Sequence, residues 1–193
     1  LSFAGMSIFD AVNHAMSTMA SGGFSTKNNS LAYWNHLPWV HYIIIIFMFL
    51  AGTNFVLTYF ALTGKIKKVF RDNEFKMYLL LVIIFSLIVF IVLYDGVDLN
   101  NSYFDNSQGL GKLEGSLRHA FFQVIAIITT TGFVTADYTA WTPFLTVMFF
   151  GIMFLGGSAG STSGGIKVVR HLLMIKGGVL EFKRALHPNA IIQ

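Results

Sequence analysis

The sequence predicts an all-α integral membrane fold assembled from a repeated unit. Of 193 residues, 54% are hydrophobic and only 11% charged, the balance of a chain whose surface meets lipid rather than water. Two stretches repeat each other: Ser21-Gly22-Gly23-Phe24-Ser25-Thr26 and Thr130-Thr131-Gly132-Phe133-Val134-Thr135 share Gly-Phe-x-Thr, 109 residues apart. Each follows a helical run too short to span a bilayer and precedes a long apolar run. A glycine and small hydroxyl residues at that point can turn the backbone so that carbonyls face a common axis. Carbonyl rings of that kind replace the water shell of a permeating cation.

The elements follow in order. Residues 7–20 have helical character but cover only about 20 Å, against a hydrocarbon core of about 30 Å. Ending in Ser-Gly-Gly, they predict a re-entrant helix whose C-terminal dipole end points at the cation path. Residues 38–62 carry no Asp, Glu, Lys or Arg and predict one tilted span of about 37 Å. Trp34, Trp39 and Tyr42 mark its interfacial start, and Lys65, Lys67, Lys68 and Arg71 the cytoplasmic side. Residues 77–94 predict the return span, about 27 Å long. The segment 95–115 is polar and Asn-rich, with Asp95, Asp98, Asp105 and Glu114 against Lys112, and is placed outside.

Residues 117–128 predict the second short helix. Pro143 opens another apolar run, 143–155, of about 20 Å. It gives way to Gly156-Gly157-Ser158-Ala159-Gly160-Ser161-Thr162-Ser163-Gly164-Gly165, five glycines in ten residues, which should interrupt a helix. The next basic residue is Lys167, so the break falls near membrane depth. Irregular backbone there is tolerated only where it is buried in protein or lines a water-filled cavity. The chain resumes over 166–175 and ends in a basic tail, 181–188.

Composition excludes several functions. Most basic residues lie in two blocks, 65–76 and 167–184, that flank apolar spans. This is the positive-inside bias of a membrane protein, so the net charge of +4 is no nucleic-acid footprint. Absence of cysteine excludes disulfides and thiolate metal sites. No basic region precedes an apolar stretch at the start, as a signal peptide requires. The chain opens on Leu1, inside a repeat unit, and is expected to be part of a longer protein. The Gly-rich loop is not a phosphate cradle: Gly165 is followed by Ile166 and Lys167 by Val168, with no strand before them. An intramembrane serine protease fails for want of an activating base, since Ser158, Ser161 and Ser163 have only His171 in sequence reach.

Other polar residues keep two readings. His14, His36, His41, His119, His171 and His187 show no ligand spacing, which favours polar packing or interface positions. Asp10 and Asp137 lie near the outer mouth, as cation attractors or as caps. Asn54, inside an apolar run, needs a partner and serves as interhelical glue or pore lining.

The pattern resembles the TrkH family of potassium-uptake proteins, within the Trk/Ktr/HKT superfamily. The residues that carry the resemblance are 16–26, Ala51-Gly52-Thr53-Asn54-Phe55, 128–138, the loop 156–165 with Ile166-Lys167, and Arg184-Ala185-Leu186-His187-Pro188-Asn189-Ala190. The resemblance implies a potassium-channel-like pore of repeated outer helix–pore helix–filter–inner helix units, four in all, with one broken inner helix. It places the end of the second unit at 1–71 and the third unit at 72–193. By the same resemblance Gly23 and Gly132 are the filter glycines. The carbonyls of Ser21, Gly22, Thr130 and Thr131 would line the path and bind K+, and the loop 156–165 would obstruct the pore as its gate.

The family's activity would be potassium uptake across the bacterial inner membrane by a multi-pass protein that is not an enzyme. K+ would be the transported ion, with no organic cofactor in this chain. Implied partners are membrane lipid, the remaining pore units, a second copy in a homodimer, and a cytosolic nucleotide-binding regulatory ring of the TrkA type. The alternative is a sodium-permeable member of the superfamily.

Overall fold

The computed structural model describes residues 1–96 and 111–186. Its secondary structure there is helical apart from turns and one isolated bridge, Leu155 to Ile166. Helix α1, Ile8–Met19, begins at the N-cap Ser7. The Ser7 hydroxyl accepts the Asp10 N–H at 3.1 Å and donates to the Asp10 carboxylate at 2.8 Å. Twelve residues give about 18 Å, so α1 stops short of a span, as its length predicts.

The expected single span over 38–62 is broken. Helix α2, Pro38–Ala51, and helix α3, Phe55–Leu62, meet at 115°. Two local features make the break. Asn54 caps α3, its side chain accepting the Val56 N–H at 2.8 Å. Gly52 packs too closely for any larger residue, because a Cβ there would lie 2.7 Å from Thr129 Cγ2 and close against the Tyr78 hydroxyl. The carbonyls freed by the break are used elsewhere: Ala51 O accepts the Thr162 N–H and Gly52 O the Ser158 N–H. The partner that Asn54 needs is thus the first turn of α3, which it caps. The sequence lacks a proline or charge at the break, and Thr162, which helps to hold it, lies 111 residues from Ala51.

Helix α4, Ile66–Arg71, carries the basic cluster into helix α5, Asn73–Gly96. Among the described residues α5 alone is long and apolar enough to cross a membrane by itself. It buries Phe75, Tyr78, Val82, Ser86, Val89 and Leu93, one helical stripe at three- and four-residue steps. Leu80, Ile84, Leu87 and Ile91 on the other faces are exposed and apolar, the surface a span offers to lipid.

Helix α6, Gly111–Ile128, starts six residues before the expected position. With α5 running to Gly96, both ends of the segment that the sequence assigns to an external loop are helix. Residues 97–110, with Asp98 and Asp105, lie outside the described residues, as do 187–193 with His187 and Pro188. The added turns of α6 hold Glu114, which accepts from Tyr42 of α2 at 2.8 Å and lies 3.0 Å from Arg118 Nε. Arg118 is 1% exposed. A guanidinium in that position needs partners on all sides; His41 Nδ1 lies 2.8 Å away and the Asn35 carbonyl 3.5 Å. Packed by α2, α5 and helix α7 (Pro143–Ile152), α6 buries its whole second half, residues 118–128 apart from Phe121.

After α7 the chain enters the loop 156–165 and leaves it in helix α8, Val168–Leu186. The loop closes at its base, where Gly156 N–H donates to Ile166 O at 2.9 Å and Ile166 N–H to Phe154 O at 3.3 Å. Helix α8 packs on α5 and is otherwise exposed.

Candidate functional site

The two Gly-Phe turns carry left-handed residues at matching positions. Among the described residues only three non-glycine residues have positive φ: Ser21 at 52°, Ser30 at 53° and Thr130 at 55°. Ser21 and Thr130 are equivalent under the 109-residue repeat. So are Gly23 at 68° and Gly132 at 76°. Gly22 and Thr131, between them, lie outside the left-handed region. Alternating handedness brings successive peptide carbonyls toward one side, which neither helix nor strand does. A non-glycine residue held left-handed costs about 1–2 kcal/mol, so surrounding structure must impose it, and such residues cluster at functional sites.

That structure is visible. At the end of α1, Ser21 N–H donates to Thr18 O at 3.2 Å; at the end of α6, Thr130 N–H donates to Ile127 O at 2.9 Å. Gly22 N–H then donates to Ser17 O, and Phe24 N–H to Ser17 Oγ, both at 2.8 Å. The second turn is held by Gly132 N–H to Ala126 O at 3.0 Å. Thr129 and Thr131 share a hydroxyl bond at 2.8 Å, so those side chains face the core.

The turns lie side by side. A Cβ on Gly23 would overlap the Thr131 carbonyl oxygen and fall 3.4 Å from Gly132 C. Phe133 is fully buried and stacks on His14 of α1, ring centres 5.8 Å apart. His14 is anchored at 2.7 Å to Asp10 O and at 2.9 Å to Ser25 Oγ.

The glycine-rich loop meets both turns. Thr162 Oγ1 lies 2.9 Å from Ser21 Oγ, and Gly164 N–H donates to Thr130 Oγ1 at 2.6 Å. Thus Ser21, Gly23, Thr130 and Thr131 converge with Thr162 and Gly164, although 141 residues separate Ser21 from Thr162. The loop's form comes from its own hydroxyls: Gly157 N–H donates to Ser163 Oγ at 2.9 Å, and Ser161 Oγ donates to Ser158 O at 2.6 Å. Lys167 Nζ donates to the carbonyls of Ser161 and Ser163. Glu74, at the start of α5, accepts the Ala159 N–H at 2.6 Å.

Sequence reasoning did not find Glu74 or Arg118, and it placed Lys167 after the loop without its bonds to the loop carbonyls. Charged residues beside an apolar run read as interface anchors, and the pattern does not say which of them turns inward. Asp137 acts as a cap, its Oδ1 accepting the Thr139 N–H at 3.1 Å, whereas the Asp10 carboxylate accepts from the hydroxyls of Thr26 and of Ser7, the cap of α1. His14, His41 and His119 are all buried and hydrogen-bonded.

The profile of the TrkH family, described as a cation transport protein, matches residues 2–193. The chain belongs to the TrkH family. It is 42% identical over 194 residues to the Trk system potassium uptake protein TrkH of Salmonella typhimurium, covering 98% of this chain and 37% of that one. It is 40% identical over 190 residues to the protein of the same name from Escherichia coli, again covering 98% and 37%. The crystal structure of the potassium transporter TrkH from Vibrio parahaemolyticus superposes with a TM-score of 0.83 at 34% identity, over 98% of this chain and 39% of that one. The TrkH-family chain therefore has an all-α membrane fold and spans somewhat over a third of the length of these relatives.

Proposed function

We propose that this chain supplies the end of one unit and the whole of the next around a potassium-conducting pore, in a protein that takes up potassium across the bacterial inner membrane. The observation that carries the reading is the pair of side-by-side turns with left-handed residues at matching positions, Ser21 and Gly23 in the first against Thr130 and Gly132 in the second. The carbonyls of Ser21, Gly22, Thr130 and Thr131 act as ligands that replace the hydration shell of K+, the transported ion. The names of the relatives, potassium uptake proteins, support the choice of ion.

In this reading residues 1–71 are the end of one unit and 72–193 the whole of the next, and further chain completes the ring. The loop 156–165 is the gate. Its contacts with Ser21 and Thr130 support an obstructing position at the end of the filter. A homodimer in lipid and a TrkA-like cytosolic ring that binds nucleotide complete the assembly, the ring acting through the basic segment after the loop.

The test is rubidium or potassium flux through the full-length protein in liposomes, with sodium as competitor. Potassium and rubidium should pass and sodium should compete weakly. Equal passage of sodium would transfer the reading to a sodium-permeable member.

A further inference from the structure

The threonine that closes each Gly-Phe-x-Thr motif makes the same contact in both repeats. Thr26 Oγ1 donates to Asp10 Oδ1, and Thr135 Oγ1 is bonded to His119 Nδ1 at 2.9 Å. Both partners sit 16 residues before their threonine. Asp10 and His119 are themselves related by the 109-residue repeat. The two side chains differ in chemistry, yet the bond recurs, so its position rather than its chemistry has been kept. Each bond ties the chain just past the turn to the helix before it, and thus closes a loop around the left-handed residues.

Both clamps are seated in further bonds. Asp10 also accepts from Ser7 Oγ at 2.8 Å. Thr135 is fully buried, and its carbonyl accepts from Asn35 Nδ2 at 3.1 Å. Arg118 reaches the Asn35 carbonyl and is held by Glu114 and His41. A strained backbone persists only where its surroundings over-determine it, and these bonds are the surroundings on the side away from the glycine-rich loop.

We propose that Thr26 and Thr135 are positioning residues that clamp the filter turns to the helices that precede them and so set the carbonyl spacing on which ion selection depends. The proposal rests on the reading of the two turns as filters. A valine is close to threonine in shape but cannot make the bond; serine can. In the full-length protein in liposomes, Thr26→Val and Thr135→Val should each lower the rubidium-over-sodium flux ratio at least about five- to tenfold, the range one ordinary net hydrogen bond commands. Thr26→Ser and Thr135→Ser should stay within about twofold of wild type, since the hydroxyl is retained. In a double-mutant cycle, adding His119→Phe to Thr135→Val should cost little more than either change alone, because both remove one bond.

Valine variants as selective as wild type would overturn the proposal, as would serine variants that fall as far as valine ones. Loss of assembly in both valine variants, with the serine variants intact, would assign the hydroxyls to folding alone and also overturn it. Gly132→Ser serves as the control. If it and wild type pass sodium as readily as rubidium, the filter reading itself fails and takes the clamp with it. If the control changes the ratio and the valines do not, only the clamp fails.

Discussion

At Gly23 and Gly132 the same left-handed backbone meets two different surroundings. Around Gly132 a Cβ would find nothing within 4 Å, whereas at Gly23 it would overlap the Thr131 carbonyl. Gly132→Ser therefore adds strain of about 1–2 kcal/mol without a clash. It should insert and purify like wild type but weaken potassium-over-sodium selectivity. Gly23→Ala adds the same strain and a backbone collision, so it should lower the melting temperature in detergent as well as the flux ratio. Flux ratios unchanged in both variants would remove these glycines from the filter. Asp10 is predicted to matter for acid tolerance. Hydrogen bonds from Thr26 first, then Ser7, hold its carboxyl below the ordinary carboxylate range. Its stabilisation is thus present above the unfolded-state value and is lost as pH falls through the folded-state one. Melting curves between about pH 6 and pH 3 should show a smaller acid-side decline in Thr26→Val than in wild type; identical declines would deny the bond that role.

At the scale of elements, the broken helices and the loop form one device. The α2–α3 break offers two carbonyls, the loop fills them, and Glu74 holds the loop from α5 through the Ala159 N–H. A hydrogen bond to a charged group contributes about 1.5–3 kcal/mol. Glu74→Ala should therefore shift a closed loop toward opening by about ten- to a hundredfold and raise flux without a regulator. Deleting residues 157–160 should do the same by a different route. Well-folded variants of both kinds with wild-type flux would rule out the loop as a gate. Gly52 is where α2 passes α5 and the end of α6. Gly52→Ala should destabilise by about 1–3 kcal/mol through overpacking. Because the Tyr78 hydroxyl is one of the atoms met, Tyr78→Phe should recover part of that loss, and a double variant no better than Gly52→Ala would place the strain on Thr129 instead.

At the scale of the molecule, the distribution of exposed apolar surface sets the orientation. Helix α5 presents aliphatic side chains around its outer faces, and the basic residues of α4 and α8 lie at the ends of apolar elements. Helix α8 carries Lys176, Lys183 and Arg184 on a largely exposed helix. These residues should face the cytoplasm. Cysteines introduced at the three positions should resist an impermeant reagent applied to intact cells and react in inside-out vesicles. Efficient labelling from outside would invert the topology and remove α8 from reach of a cytosolic ring.

The amino-acid pattern by itself determined the class of fold, the short first helix, the spanning helix α5 and the position of both turns. These are local matters: run length against bilayer thickness, and glycine beside small hydroxyl residues where the backbone must turn left-handed. It also located the glycine-rich break, because five glycines in ten residues leave a helix without support. Only the tertiary structure decided that α2 and α3 part at Gly52, since the groups that hold the break open come from the loop at 156–165. It likewise decided that Glu74, Lys167 and Arg118 turn inward to backbone carbonyls, N–H groups and a histidine, while other charged residues stay at the surface. The repeat already pairs Asp10 with His119 by position, but that both bond the motif threonine was hidden for the same reason. A carboxylate and an imidazole share no residue type, and it takes their common bond to a threonine hydroxyl, across a folded turn, to show that they do the same job.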